Sequence, residues 1–499
     1  MGHAYTTLAC DVLARFMRLD GHDVKFLTDT DEHGQKVEKA AAEAGMEPQA
    51  FVDMNSGNFR DLARAMNFSN DDFIRTTEPR HIASVQHLWR QLADRGEIYL
   101  GSYAGWYSVR DEAFYTESEL TKGPGSSTLA PTGAEVEWVE EPSYFFKLSA
   151  WQDRLLEFYA SHPDCIAPAT RRNEVLSFVK GGLQDLSISR TSFRWGVPVP
   201  DDPDHVMYVW LDALTNYLTA LGYPDTENPE FSTFWPVDLH MVGKDILRFH
   251  AVYWPAFLLA AGIEPPQRVF AHGWWTNEGE KISKSLGNII DPLELIEHYG
   301  LDQVRYFLLR EVPFGNDGDF SRRAMVGRIN GDLANDFGNL AQRVLSMINR
   351  NCDAKIPEPG VRDAADGKLL DAAAGLLERM RGHYGGQSYH LALQAMWRVV
   401  ADANRYVDDQ APWTLRKTDP GRMNTVLYTL AETLRHLAIL IQPVTPEAAS
   451  RLLDQLAVAG SERDFAALSS DHALAPGTPL PKPEGVFPRF NQEEGADAG

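Results

Sequence analysis

Residues 24–44 read VKFLTDTDEHGQKVEKAAAEA. The stretch opens with a short apolar run, VKFLT at 24–28, passes through an acidic, turn-like loop and enters a segment of helix-forming composition at 36–44. Strand, loop and helix in that order form the unit of a parallel sheet covered by helices, because parallel neighbours need a crossover and the helix provides it. The pattern returns twice. HVMYVWL at 205–211 and DLHMV at 238–242 are apolar runs, each followed by a helical stretch. The first half of the chain is therefore expected to be an α/β domain with a parallel sheet.

Outward from this core the texture changes. Residues 99–142 are rich in Gly, Ser, Thr and Glu with aromatics between them, and read as a small β-rich module inserted into the sheet domain. From about Ser321 to Gln455 strand signals vanish. Ile329, Leu333, Phe337, Leu340, Val344 and Ile348 recur at spacings of three and four, and Leu427, Leu430, Leu434, Leu437 and Ile441 do the same, so an all-α bundle is expected there. Beyond Pro476 the tail is proline-rich, with Val486, Phe487 and Phe490 able to pin it to the body and the last ten residues expected to lack fixed structure. The expected division is 1–98 and 143–265 for the two halves of the sheet domain, 99–142 for the insertion, 266–330 for a linker, 331–460 for the bundle and 461–499 for the tail.

A chain of 499 residues, 44% hydrophobic and 23% charged, can bury several cores. No apolar run approaches the ~18 residues that span a bilayer, and Met1-Gly2-His3 does not read as a secretory leader, so no membrane association and a cytoplasmic location are expected. The three cysteines, Cys10, Cys165 and Cys352, are too scattered for a disulfide framework or a thiolate metal knuckle. A formal charge of −23 excludes broad, non-specific polyanion binding, so any nucleic acid must be recognised by a local surface.

Two short stretches carry chemistry. GEKISKSLGN at 279–288 places Lys281 and Lys284 among small hydroxyl residues between two glycines, a cationic loop able to close on a polyphosphate; a solvated lysine turn is the plainer reading. At the chain start, Gly2 and His3 directly precede an amphipathic run, where a helix N-terminus can accept an anion and His3 can donate to a phosphate; a mobile surface histidine is the alternative.

Together the two stretches resemble the His-Ile-Gly-His and Lys-Met-Ser-Lys-Ser signatures of class I aminoacyl-tRNA synthetases. TDEHG (30–34), RRNEV (171–175), SISR (187–190), YVWLDAL (208–214), GKDILRFHAVYWPA (243–256), AHGWW (271–275), DLANDFGNLAQR (332–343) and APW (411–413) are similar to methionyl-tRNA synthetase of the bacterial type, over essentially the whole chain. The resemblance implies a Rossmann-like catalytic domain with an inserted connective module, then a helical anticodon-binding domain. It implies ATP-dependent activation of L-methionine to methionyl-adenylate and transfer to tRNA(Met), initiator tRNA included, with Mg2+ accompanying the ATP; a monomer is expected because no dimerisation domain is read after the bundle. By the same resemblance, Asp31 holds the substrate ammonium, and Trp210, Ala213, Tyr217, His250 and Trp254 form the methionine side-chain pocket. Gly2, His3, Asp245, Lys281, Ser283, Lys284 and Ser285 bind ATP, with His3, Lys281 and Lys284 catalytic. Asn335, Asn339, Arg343, Pro412 and Trp413 read the anticodon. Plain readings also exist for these: a helix cap for Asp245, core packing for His250 and Trp254, a solvated face for the polar strip.

The sequence departs from the pattern in four respects. Met1 stands where the family has Ile or Leu and the preceding His is absent, which reads as a truncated or misassigned start. Ser108 and Asp111 occupy the first thiolate pair of the family's zinc knuckle, so neither a structural zinc nor any other protein-bound metal is expected. Asp29 replaces a small residue in the Thr-Gly-Thr-Asp loop, and Ile282 replaces Met in the lysine loop. Two other functions stay open at this point: a catalytically impaired tRNA-binding form of the same family, and a metal-dependent hydrolase built on Asp29, Asp31, Glu32 and His33.

Overall fold

The computed structural model describes residues 1–123, 127–277, 279–281 and 290–491, with Glu280 and Lys281 described by backbone alone. The chain forms two compact units, one of residues 25–61 and 70–271, the other of residues 1–24, 62–69 and 272 onward.

In the first unit the strand Leu27–Thr30 pairs in parallel with Asp72–Arg75, so that Asp29 stands opposite Ile74. The helices Gln35–Glu43 and Pro79–Asp94 each follow one of these strands, the arrangement anticipated from residues 24–44. A second group orders His240–Gly243, Val269–His272 and Ile166–Ala167 side by side, with Val269 parallel to Ile166. The insertion is antiparallel throughout. Its long hairpin joins Ile98–Ser108 to Glu137–Phe146, flanked by Ala113–Tyr115 and Leu186–Ser187. The core of this unit gathers Leu88, Trp89, Phe146, Leu211, Trp254 and Phe257.

The expected strand at 205–211 is corrected. The strand is Asp202–Met207, antiparallel to Ser189–Arg190 and Pro198–Val199, and Tyr208 caps a helix, Val209–Leu214, that carries Trp210 and Leu211. An unbroken apolar run of this length does not distinguish a buried strand from a buried helix, and here the chain uses it for both.

In the second unit the helix Gly2–Leu19 buries Tyr5, Leu8, Val12 and Phe16 at helical spacing. Phe16 stacks on Tyr384 at 3.9 Å, and Tyr5 meets Trp275 edge-on at 5.5 Å. Asp11 accepts from the backbone N–H and hydroxyl of Ser69 and from Arg305, whose buried guanidinium also donates to the carbonyls of Met66, Pro443 and Val444. Every member of both apolar stripes is buried. The first runs through a π-helical stretch, Ile329–Gly338, into the α-helix Asn339–Asn351. In the tail Val486 and Phe487 are buried, and Phe490 exchanges hydrogen bonds with the side chain of Asn330, so the three residues expected to pin the tail do hold it; residues 492–499 lie outside the described residues. Among the described residues no helix is long and apolar enough to cross a membrane.

Candidate active site

Strand alternation sorts the acidic loop into two sides. Thr30 and Glu32 share one: the Glu32 carboxylate accepts from Thr30 (2.8 Å), Thr77 (2.5 Å) and Arg75 (2.8 Å). Asp29 and Asp31 share the other. Asp31 is exposed to solvent yet so closely surrounded that desolvation is the largest influence on it, and its carboxyl is pushed up to about 6 by that burial and by the charge of Asp212. An accessible carboxylate crowded by protein is a cleft residue. Gly34 closes the loop at φ 104°, a conformation that favours glycine, and the Glu112 carboxylate stands 2.8 Å from where a Cβ would be. Burial raises Glu112 to about 7.

Behind Asp31 the Asp212 carboxylate is bracketed by two imidazoles, His33 Nδ1 at 2.7 Å and His81 Nε2 at 2.9 Å. Burial alone would raise Asp212, but the charge and hydrogen bond of His33, with those of His81, hold it at about 2. Burial would likewise lower His33; Asp212 overrides it and raises that imidazole. The four residues of the hydrolase reading therefore turn to different partners: Glu32 to Arg75, His33 to Asp212, and the Asp29 and Asp31 carboxyls to each other. They do not converge on a shared ion, which corrects that reading.

Beside the acidic loop lies an aromatic cluster. Trp210 stacks on Phe249 at 3.9 Å and 10°. The Tyr217 hydroxyl lies 2.8 Å from His250 Nε2, and His250 Nδ1 lies 3.1 Å from the carbonyl of Ile246. A carbonyl only accepts, so Nδ1 carries the proton and Tyr217 donates to Nε2. Burial lowers His250 to about 4, which keeps this tautomer neutral. Tyr217 also packs on His240 at 4.0 Å and faces Trp254 at 6.3 Å. His250 sits in a π-helical turn, Phe249–Tyr253, that runs into the α-helix Trp254–Ala261; the wider turn changes which side chains share a face. The structure thus brings Trp210, Tyr217, His250 and Trp254 together, with Ala213 buried on the helix of Trp210.

The sequence reading missed His240, Phe249, His81 and Asp212 as parts of this neighbourhood, and named His33 only in the hydrolase cluster. His240 and Asp212 stood inside quoted motifs, in DLHMV and YVWLDAL, but nothing in their spacing signals a ring stack or a carboxylate held between imidazoles. Asp245 is exposed in a short 3₁₀ turn, Lys244–Ile246, whose cap is Gly243, which corrects the plain reading of Asp245 as a helix cap.

In the other unit Gly2 and His3 open the helix Gly2–Leu19. Burial lowers His3 to about 4, so at neutral pH the ring is uncharged and offers one N–H. Thr6 Oγ1 lies 2.7 Å from His272 Nε2 on the next turn. Lys281 is placed by its backbone on the strand Glu280–Lys281, antiparallel to Trp275–Asn277 around Gly279 at φ 82°. The Lys281 side chain and residues Ser283, Lys284 and Ser285 lie outside the described residues. Asn335 and Asn339 are exposed, off the buried stripe; Arg343 pairs with Asp408 at 2.8 Å and lies over the Trp413 ring at 5.7 Å. Trp413 is 48% exposed, on a helix that starts at the buried Pro412.

The knuckle positions carry a hydrogen-bonded turn. The Asp111 N–H donates to Ser108 Oγ at 3.2 Å, and the Asp111 carboxylate accepts from Tyr115, Thr132 and Arg110. Among the described residues no group of three His, Cys, Asp or Glu side chains stands together to hold a metal ion.

Comparison with known proteins follows this geometry. The chain matches the family of class I (M) tRNA synthetases over residues 1–131 and 126–345, and the anticodon-binding domain of methionyl tRNA ligase over 356–498. It is 59% identical over 498 residues to the methionine–tRNA ligase of Mesorhizobium japonicum, covering 100% of this chain and 96% of that one. With that of Mycobacterium tuberculosis the identity is 58% over 494 residues, covering 98% and 95%. The structure of the Mycobacterium tuberculosis methionyl-tRNA synthetase in complex with methionyl-adenylate superposes with a TM-score of 0.96 at 58% identity, covering 98% and 96%. Its apo form gives 0.89 at 54%, covering 98% and 95%. From fold, site and these matches together, the chain belongs to the class I methionyl-tRNA synthetases, a family of aminoacyl-tRNA ligases.

Proposed function

We propose that this protein activates L-methionine with ATP and transfers it to tRNA(Met), initiator tRNA included. The observation that carries the reading is a cleft carboxylate, Asp31, beside an aromatic cluster in which His250 is held neutral. An amino acid with a soft, uncharged side chain fits both: the ammonium meets Asp31, and the thioether meets Trp210, Ala213, Tyr217, His250 and Trp254, where aromatic edges favour sulfur. A neutral His250 leaves no charge in the side-chain cavity, which disfavours acidic or basic side chains.

In the first step a methionine carboxylate oxygen attacks the α-phosphorus of ATP, forming the mixed anhydride and releasing pyrophosphate. In the second a hydroxyl of the terminal ribose of tRNA attacks the activated carbonyl and AMP leaves. His3, with one N–H at neutral pH, and Lys281 and Lys284 are assigned to the charge that develops on the phosphate oxygens; Gly2, Asp245, Ser283 and Ser285 are assigned to holding the nucleotide. Magnesium, carried by the triphosphate, would offset phosphate charge. Asn335, Asn339 and Arg343, with Trp413 over its Pro412 turn, form the strip assigned to the anticodon, where an exposed ring offers a face for base stacking. The domain limits 1–98, 99–142, 143–265, 266–330, 331–460 and 461–499 are proposed on the same reading, as are a monomeric state and a cytoplasmic location.

Methionine-dependent exchange of pyrophosphate into ATP tests the activity. Exchange that is lost on Asp31→Ala replacement is expected; exchange with leucine or valine but not methionine would overturn the substrate.

A further inference from the structure

Asp29 has no part in the function proposed above. It lies on the strand Leu27–Thr30, half-buried, two residues before Asp31 and on the same side. The two carboxyls lie close enough to shift one another by charge and hydrogen bonding, and two carboxyls share a hydrogen bond only when one carries a proton. Asn216, buried on the short helix Asn216–Thr219, donates from Nδ2 to the Ala213 carbonyl at 2.6 Å and faces Asp29 Oδ2 at 3.4 Å. Its Oδ1 is buried with no hydrogen-bond partner among the described residues. An orphaned acceptor beside a carboxyl pair marks a place where a donor-bearing group belongs.

The surrounding charge decides which carboxyl keeps the proton. Asp31 faces Asp212 from the helix Val209–Leu214, His81 from Pro79–Asp94, His33 from its own loop and Glu112 from the inserted module. Asp29 is pushed well above the ordinary carboxyl range, first by burial and then by the charge of Asp31. Asp31, with histidines near it and solvent access, ionises first. This balance of charge favours keeping the proton on Asp29, the carboxyl further above its ordinary range.

We propose that Asp29 is a positioning residue for amino-acid recognition: its protonated carboxyl donates to Asp31, fixing that carboxylate for the substrate ammonium and keeping the pair at a single negative charge. The inference rests on the assignment of Asp31 to the ammonium. A singly charged pair matches one ammonium, and the donated hydrogen bond favours the ionised form of Asp31. Asp29 thereby extends the pH range over which the site binds a cationic group.

The experiment measures kcat and KM for methionine by pyrophosphate exchange between pH 5 and 8 in the full chain, comparing wild type, Asp29→Ala and Asp29→Asn. Asp29→Ala removes the donor, so KM for methionine rises about tenfold with kcat changed much less, and the acid limb of kcat/KM moves up by about one pH unit. Asp29→Asn keeps an uncharged donor and restores both to within about twofold of wild type. An Ala variant indistinguishable from wild type, or an Asn variant as impaired as Ala, overturns the proposal. Carbon-13 titration of the wild-type aspartate carboxyls needs no variant to fold: one carboxyl that ionises near pH 6 beside one still protonated above it supports the pair, and two that both ionise below pH 5 refute it. Absence of methionine exchange in the wild type would instead overturn the assignment of the site to methionine.

Discussion

Tyr217 and His250 show how much a single hydrogen-bond direction decides. Because Ile246 fixes the His250 proton on Nδ1, the Tyr217 hydroxyl must donate to Nε2, and both side chains are locked. Tyr217→Phe removes that donor and leaves a buried acceptor unpaired, so KM for methionine is expected to rise about five- to tenfold, measured by pyrophosphate exchange. Asp212 makes a second prediction. Its lowered value contributes stability above its ordinary 3.8 that is lost as pH falls through about 2. The raised value of His33 contributes stability below its ordinary 6.5 that is lost as pH climbs through the folded value. The gap in Tm between wild type and Asp212→Asn, followed by calorimetry, is therefore widest between pH 3.8 and 6.5 and narrows on both sides. Little of this was legible in sequence. Asp31, Tyr217 and His250 could be named from motif resemblance, but a tautomer depends on which carbonyl a ring meets, and no spacing rule encodes that.

At the scale of elements, the strand–loop–helix unit at 24–44 was readable because apolar run, acidic loop and helix formers all agree on it. The run at 205–211 was not, since its strand ends at Met207 and its last residues are helical. The two π-helical stretches, Phe249–Tyr253 and Ile329–Gly338, also escaped notice, because apolar spacings of three and four suit an α-helix equally well. In the inserted module, the turn held by Asp111 occupies the position of a metal knuckle. Asp111→Ala removes the acceptor that Tyr115, Thr132 and Arg110 share, and faster amide hydrogen exchange across residues 108–115 and 127–132 is expected, while a chelator leaves the Tm of the wild type unchanged.

For the whole molecule the sequence foretold an α/β part and a helical part, yet it offered no hint that the first helix packs with the last half of the chain. Contacts between residues hundreds of positions apart leave no local pattern. Amino-acid activation and tRNA reading are assigned here to residues far apart in sequence, and they should separate by mutation. Trp413→Ala removes an exposed ring worth about 1–3 kcal/mol of stacking, so tRNA affinity should fall about ten- to a hundredfold in filter binding while methionine-dependent exchange is untouched.

The buried Arg305 joins Asp11, Met66 and the carbonyls of Pro443 and Val444. During synthesis on the ribosome the helix Gly2–Leu19 emerges early, but Phe465, which packs edge-on against Phe16, emerges only some 446 residues after the helix ends. At about 5–20 residues per second, roughly 20–90 s separate the two events. The unit of residues 25–61 and 70–271 is complete long before then. A nascent chain therefore carries one finished unit alongside an amphipathic helix whose apolar face has nowhere to go, a natural client for a chaperone that shields exposed hydrophobic segments until translation ends.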